Sequence, residues 1–247
     1  MFTEDGDFTV PASVTSVRAL AVGGGGGGCS SANGGGGSGY VAAETISVNP
    51  DSTYHVTVGK GGDGKDNNEF AAEGPITRNL ASESSFLTLT GKAGEEAYAK
   101  GGEGGSGGGG GSGRAFPCVG DKTAQGGSGG SDGSSCGRAR GGYGQGSYVN
   151  LLAIFTKSLI TPGKGGMHGR ADKNPQQSNS AGGGAGGVLI DGKGPNGENG
   201  NRDYDYCVGG EGGQGYGAGG GAGGYSCKRG NVKGGAGAPG VVYIEWD

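Results

Sequence analysis

Short stretches of apolar residues that alternate with polar ones predict β-strands near both ends of the chain. Residues 8–11 predict a short strand and residues 14–22 a longer one, in which successive side chains alternate between two faces. The last apolar stretch, residues 241–246, predicts a closing strand. Each stretch is far shorter than the roughly 20 apolar residues of a membrane-spanning helix, so no span is expected.

The same pattern predicts strands in the interior of the chain. Residues 40–48 and 54–58 predict a β-hairpin, because the Asn-Pro-Asp-Ser sequence at 49–52 has the composition of a turn. Residues 84–90 predict one further strand, and residues 186–192 a brief one.

Two interior segments differ from this simple pattern. The dense apolar segment 148–160 fits either a strand pair or a short helix. The polar stretch 195–205 predicts a surface loop. Both lie beside tracts of glycine, which set the organisation of the chain.

Glycine dominates the sequence between the predicted strands and contributes 69 of the 247 residues. It occurs in runs, of which the longest lie at residues 23–28, 34–37, 101–111, 182–187 and 215–224. In the interior of a helix or strand each glycine costs roughly 0.5–1 kcal/mol relative to alanine, so the runs are not expected to form either. A left-handed extended helix with three residues per turn suits them better. Because such rods lack side chains, neighbours can pair N–H with C=O, and we predict a core made of backbone.

Glycine-rich sequence without a strict period is also typical of disordered or low-complexity segments. Order is favoured because the runs are short, are separated by apolar strands, and are spaced by Ala, Ser and Tyr rather than by blocks of charge. We therefore predict one domain over residues 1–247 with a mainly β and irregular fold. Short strands from both termini would frame a bundle of packed polyglycine II helices, with little or no α-helix.

Charge disfavours one class of partner. The chain has 19 basic and 23 acidic residues, a formal net charge of −4, and no strongly basic tract, so nucleic acid is not expected as a partner. It opens with Met-Phe-Thr-Glu-Asp, without the basic start and apolar run of a signal peptide. The extracellular location that we expect would therefore require a signal that this chain does not carry, or another export route.

The five cysteines lie far apart in sequence, at Cys29, Cys118, Cys136, Cys207 and Cys227. Their spacing does not fit a metal site built on CxxC motifs. Two disulfides in an oxidising compartment are the favoured interpretation, with Cys118 paired to Cys136 and Cys207 to Cys227 as the sequence-local pairing. Each would close a loop of about 20 residues and stabilise the fold by roughly 3 kcal/mol in the chain-entropy model. Cys29 would then be free to join two chains; the alternative is five reduced thiols.

Three stretches of the sequence carry a resemblance to a known family. They are residues 8–26 (FTVPASVTSVR running into AVGGGG), residues 57–62 (TVGKGG) and residues 237–246 (GAPGVVYIEW). Together they resemble the glycine-rich domain family, which is found in phage tail-fibre proteins and in secreted proteins, over the whole chain. The glycine-rich interior is also similar in kind to that of anaplastic lymphoma kinase-type receptors and distal phage adhesins, in which polyglycine II rods pack in a honeycomb.

This resemblance implies a β-framed bundle of rods that is used for adhesion, receptor binding or assembly. The chain departs from the tail-fibre pattern in its five cysteines and in having no recognisable coiled coil or shaft. These departures favour a secreted protein over a phage origin.

Candidate catalytic and metal sites are few. Residues 59–65 match the start of a phosphate-binding loop, but Asp66 stands where a metal-binding Ser or Thr is needed. Residues 61–66 match part of a glycine-rich calcium repeat, so one incomplete copy leaves calcium open as a hypothesis. His55 lies in a predicted strand and His168 in a glycine-rich loop, and neither has the setting of a general base. We expect no enzyme activity, catalytic residue, cofactor or bound metal.

Four tyrosines that follow a glycine could contact a sugar or another chain: Tyr40, Tyr143, Tyr216 and Tyr225. The alternative is that they border the bundle and cover its flanks.

Two functions fit this sequence best. The first is a non-enzymatic extracellular structural protein that self-assembles into a fibre or matrix, because outer rods expose backbone groups as an edge strand does. The second is an adhesin or a receptor- or glycan-binding tip, in which loops 64–79 and 191–205 make the contacts. An ice-binding protein of polyglycine II type is disfavoured by the charged insertions.

Overall fold

The computed structural model describes seven parts of the chain, residues 1–28, 35–64, 79–94, 154–166, 183–201, 209–221 and 233–247. Its strands are β1 Gly6–Thr9, β2 Ser16–Val22, β3 Val41–Ser47, β4 Thr53–Thr57, β5 Ser84–Phe86, β6 Leu89–Gly91, β7 Ile160–Pro162, β8 Val188–Ile190 and β9 Val241–Glu245. Within these parts, every element of more than one residue is a strand and every strand pair is antiparallel. The predicted mainly β and irregular fold is confirmed.

The strands form three small sheets. Their orders are β1-β4-β5-β6, β3-β2-β9 and β7-β8. In the second sheet, β2 pairs with β3 on one side and with β9 on the other. Successive residues of β2 face opposite sides, so Ala19 and Ala21 join one core cluster while Leu20 and Val22 join another. The three-stranded sheet is therefore the middle layer of a sandwich.

Two side-chain cores flank this middle sheet. The first packs it against the four-stranded sheet, where Val56 and Phe86 are fully buried and the rings of Phe8 and Phe86 meet edge to face at 5.9 Å. The second packs it against β7 and β8 through Val188 and Phe155. Burial of apolar area is the main stabilising force in this half of the molecule.

The predicted hairpin of residues 40–48 and 54–58 is wrong in its pairing, although both strands exist. β3 pairs with β2, whereas β4 pairs with β1 and β5. Between β3 and β4 the chain passes from one sheet to the other at Asp51, whose φ is 58°. There, Asp51 N–H donates to Val10 O and Val10 N–H donates to Ser52 O. In two facing sheets, both strands turn apolar side chains such as Ile46 and Val56 toward one core.

Other expectations hold only in part. Residues 84–90 form a tight hairpin of β5 and β6 instead of one strand, because Leu87 adopts a left-handed conformation with φ 52°. β8, Val188–Ile190, lies within the predicted strand of residues 186–192. Of segment 148–160, only 154–160 is described, and Ile160 begins β7. Residues 197–201, in the predicted loop 195–205, bond to other glycine-rich segments.

Candidate functional site

The glycine-rich segments between the strands run extended and bond to one another. The segment 23–28 illustrates the pattern, because its N–H groups spaced three residues apart reach the same neighbour. The bonds are Gly23 N–H to Tyr40 O, Gly26 N–H to Gly37 O, Gly25 N–H to Ala238 O and Gly28 N–H to Gly235 O, at 2.9–3.2 Å. Three residues is also the turn of the extended left-handed helix.

Neighbours surround this segment. It donates hydrogen bonds to segments 35–40, 79–83 and 233–240, and it accepts them from segments 59–64, 91–94 and 216–221. The N–H and C=O groups of segment 23–28 are thus hydrogen-bonded by neighbours on several sides, whereas those of a β-strand are bonded only by the strands beside it in the sheet.

The three-residue spacing recurs in the segment 233–240. Its donor bonds run from Gly235 to Gly221, from Ala238 to Ala218, from Gly237 to Gly62 and from Gly240 to Gly59. The acceptors in each neighbour are also three residues apart, so both segments of each pair keep the same repeat.

Close packing explains why these positions are glycine. A Cβ added at Gly24, Gly25 or Gly219 would overlap a carbonyl oxygen of an adjacent segment, far inside the 3.0 Å that real Cβ contacts keep. Ala185 and Ala218 are fully buried, so the bundle accommodates a methyl group only where a neighbour leaves space. In the sequence, single alanines such as these interrupt runs of glycine.

The segments begin and end on two opposite faces of the bundle. At the first face they continue into strands, as Val22 to Gly23 and Gly240 to Val241 show. At the opposite face, which we call the segment-end face, ends that are remote in sequence lie together: Gly28 bonds Gly235, Asp63 bonds Asn79, Asn201 bonds Lys233, Gly35 lies beside Gly183, and Gly209 lies beside Gly200. Described segments that are separated in sequence by residues 29–34, 65–78, 167–182, 202–208 and 222–232 therefore end at this face.

Polar side chains on the bundle complete its hydrogen bonding. The Asp63 carboxylate accepts bonds from the backbone N–H and the side-chain amide of Asn79, both at 3.1 Å. Glu198 Oε2 accepts a bond from Ala236 N–H, and Asn199 Oδ1 accepts one from Gly212 N–H. These side chains accept hydrogen bonds from backbone N–H groups of neighbouring segments.

A buried carboxylate at the strand side was not predicted from the sequence. Glu245 in β9 is 2% exposed and accepts bonds from Arg18 Nε, from the N–H groups of Thr156 and Lys157, and from Tyr243 O–H. It therefore ties segment 154–158 to the middle sheet. The register of β2 and β9 places its partner Arg18 directly opposite Glu245, a pairing that the sequence does not indicate.

The titration of this cluster follows its contacts. Burial alone would raise the pKa of Glu245, but the hydrogen bonds from Thr156, Tyr243, Arg18 and Lys157 together hold that pKa below its ordinary value. The hydrogen bond from Arg18 lowers the pKa of Asp247, and burial raises the pKa of Tyr243. Each Glu245 oxygen accepts bonds, so the arrangement is that of a structural anchor.

Of the predicted contact tyrosines, two lie in the described residues. Tyr40 is half-buried at the start of β3, and its contact role stays a prediction. Tyr216 is only 8% exposed and packs in the second core with Val188, so it is a core residue here. Outside the described residues lie Tyr143, Tyr225, His168 and all five cysteines, Cys29, Cys118, Cys136, Cys207 and Cys227, with both proposed disulfides.

The remaining candidate chemistry has a structural setting. His55 is exposed and bonds Asp7 across β1 and β4, with 2.9 Å between Nδ1 and Oδ1. In the suggested calcium segment, Gly62 N–H donates to Gly25 O, while residues 65 and 66 lie outside the described part. The described residues contain no group of three metal-ligating side chains. Nor do they contain a helix of the length and apolar character that crossing a bilayer demands.

Comparison with known proteins agrees with the glycine-rich architecture. A search of curated proteins finds no match. The family model described as a glycine-rich domain matches residues 3–247, which is nearly the whole chain. The chain therefore belongs to the glycine-rich domain family.

Proposed function

We propose that this protein is a non-enzymatic binding module, an adhesin or a receptor- or glycan-binding tip, built on a bundle of polyglycine II helices. The single observation that carries the proposal is the segment-end face, where ends remote in sequence lie together. A rigid scaffold that gathers several connections on one face is the usual arrangement of recognition loops.

The polyglycine II assignment has its own support. The hydrogen bonds between segments recur every third residue, which is the repeat of that helix. The absence of space for a Cβ at Gly24 and Gly25 fits rods that pack through their backbones. Slow amide exchange at Gly25 and Gly220, measured by NMR, is expected; fast exchange at both would overturn the assignment.

The contact regions differ from those expected from the sequence alone. Connection 65–78 keeps its proposed role, because Gly64 and Asn79 lie at the segment-end face. The other candidate contact region, loop 191–205, loses residues 197–201, because these residues bond to other segments within the bundle. An extracellular location, with the disulfides that this would allow, remains part of the proposal.

The experiment replaces residues 65–78 with a Gly/Ser linker of equal length and measures binding to a printed glycan array and to whole cells. Ser13→Gly, in an exposed turn at the strand side, is the matched control. We expect the wild type and the control to bind, and the linker variant to lose about tenfold or more in affinity, which is 1.4 kcal/mol. The variant should keep slow exchange at Gly25.

Two results would contradict the binding module. One is unchanged binding by linker variants of every connection at the segment-end face, and the other is a wild type that binds neither glycans nor cells. The second candidate, an extracellular structural protein that self-assembles through the same scaffold, would gain from the latter result. It is favoured by an open strand edge, and filaments in electron micrographs would support it.

A further inference from the structure

Within the described part of the chain, the outer strand of the middle sheet presents a long open edge. β3 has seven residues and lies at one end of the order β3-β2-β9. Hydrogen bonds at its two ends, Gly23 N–H to Tyr40 O and Val48 N–H to Thr15 O, show which pairs of the ladder are bonded. Bonded and non-bonded pairs alternate in an antiparallel ladder. The even-numbered residues of β3 therefore bond β2.

The odd-numbered residues of β3 direct their backbone groups away from β2. These residues are Val41, Ala43, Thr45 and Ser47. Among the described residues, none bonds to these outward groups. Such a row of N–H and C=O groups is a template for another strand.

The outer edges of β9, β8 and β7 are covered or interrupted in the described part, and the edge strands β1 and β6 of the four-stranded sheet are shorter than β3. The outer side of β9 exchanges two hydrogen bonds with Phe2 at Val242, with N to O distances of 2.8 and 3.1 Å. The outer side of β8 bonds Tyr216, and the three-residue β7 ends at Pro162, which has no N–H. β3 carries neither a proline nor a lysine that would discourage pairing.

The sequence of β3 is complementary to itself. In an antiparallel pair centred on Ala43, each Val41 lies opposite Thr45 of a second copy, and both side chains are β-branched. Glu44, the one charged residue of β3, lies opposite Ala42. A pair centred on Glu44 would instead oppose two carboxylates, which is destabilising.

We propose that β3 pairs with β3 of a second copy about a two-fold axis at Ala43 and joins two middle sheets into one. The outward groups of Val41, Ala43 and Thr45 would form the new ladder. Because β3 runs away from the glycine segment 35–40, antiparallel pairing directs the two bundles in opposite directions. The dimer itself is independent of the proposed binding function, but with it the dimer would be bivalent.

The test compares the mass of the wild type and three variants by sedimentation velocity, over a concentration series and with reducing agent present. Reduction excludes a dimer held by cysteine. Thr45→Pro removes a paired outward N–H, and Ala43→Lys brings two like charges together at the axis while it keeps every N–H. Ser47→Pro is the matched control, because it alters the same edge outside the proposed ladder.

We expect a reversible wild-type dimer, preserved in Ser47→Pro. Thr45→Pro and Ala43→Lys should each raise the dissociation constant about tenfold or more, equivalent to 1.4 kcal/mol. Far-UV circular dichroism checks that each variant is folded. If Thr45→Pro does not fold, the comparison of Ala43→Lys with the wild type tests the proposal. A monomeric wild type, or a dimer that folded Ala43→Lys leaves intact, would overturn the proposal.

Discussion

The sandwich of sheets and the glycine bundle meet the same requirement, the burial of a polar backbone, in opposite ways. In the sandwich, strands bond in pairs and side chains such as Phe86 and Leu20 fill the space between the sheets. In the bundle, the space between segments is filled by other backbones, and hydrogen bonds run in several directions from one segment. One half of the molecule depends on large residues and the other on the absence of side chains.

This difference implies opposite responses to a change in side-chain volume. A sheet core loses stability when a side chain is shortened, because a cavity remains. A close-packed bundle loses stability when a side chain is added, because the neighbouring backbone has to move. Buried Ser84 lies at the junction between the sandwich and the bundle. Its hydroxyl accepts a hydrogen bond from Gly59 N–H and donates one to Val22 O.

The largest expected effects come from one substitution in each region, which shortens a side chain in the sandwich or adds one in the bundle. Phe86→Ala should lower the free energy of unfolding by about 4 kcal/mol, because it leaves a cavity among fully buried residues. Gly25→Ala should lower it by about 3 kcal/mol, because its Cβ would overlap Ala218 O. Urea unfolding followed by circular dichroism measures both.

A matched glycine separates packing from backbone strain in this comparison. Gly192 has φ 72° and no atom within 4 Å of an added Cβ. Gly192→Ala should therefore cost only about 1 kcal/mol, the strain of a left-handed alanine. Equal losses for Gly25→Ala and Gly192→Ala would show that the bundle is not close-packed.

A smaller effect is expected for Glu245, a side chain of the sandwich that accepts hydrogen bonds from backbone N–H groups. Glu245→Gln should lower the free energy of unfolding by about 2 kcal/mol at neutral pH, because charge-assisted bonds to Thr156, Lys157 and Arg18 are weakened. Urea unfolding measures the loss. Asp247→Asn, at a largely exposed carboxylate, is the control and should cost much less.

The effect of Glu245 also depends on pH in a defined direction. Because its pKa is lowered in the folded protein from an ordinary 4.5, its stabilisation is fully present above that value. It is lost as the pH falls through the folded pKa, so wild type and Glu245→Gln should converge in acid. A difference that stays constant from neutral to acidic pH would contradict this assignment.

The smallest expected effect is a gain in stability. Leu87 occupies a left-handed position, φ 52°, in the turn between β5 and β6, and 42% of its surface is exposed. Leu87→Gly should raise the free energy of unfolding by about 1 kcal/mol, because glycine adopts this conformation without strain. Thr88→Gly, at the next position of the same turn, should not stabilise; thermal unfolding distinguishes the two variants.

Several strands were predictable from local pattern, but their pairing was not. Alternation located β2, β8 and β9 within a residue or two, since a strand with a buried face requires it. Whether β3 would pair with β4 or with β2 depended on which arrangement let both strands share one core. No local signal marked the anchor at Glu245, because its donors other than Tyr243 come from segments distant in sequence.

The sequence by itself determined that glycine tracts without side chains could be buried only against other backbones, and that short apolar strands would frame them. Tertiary structure alone decided which segments are neighbours, where a methyl group fits and where it does not. It also gathered the segment ends on one face and, among the described residues, left the outer edge of β3 without a partner strand. The physical reason is that a glycine carries no side chain to specify its partner, so the partner is selected by the packing of the whole bundle.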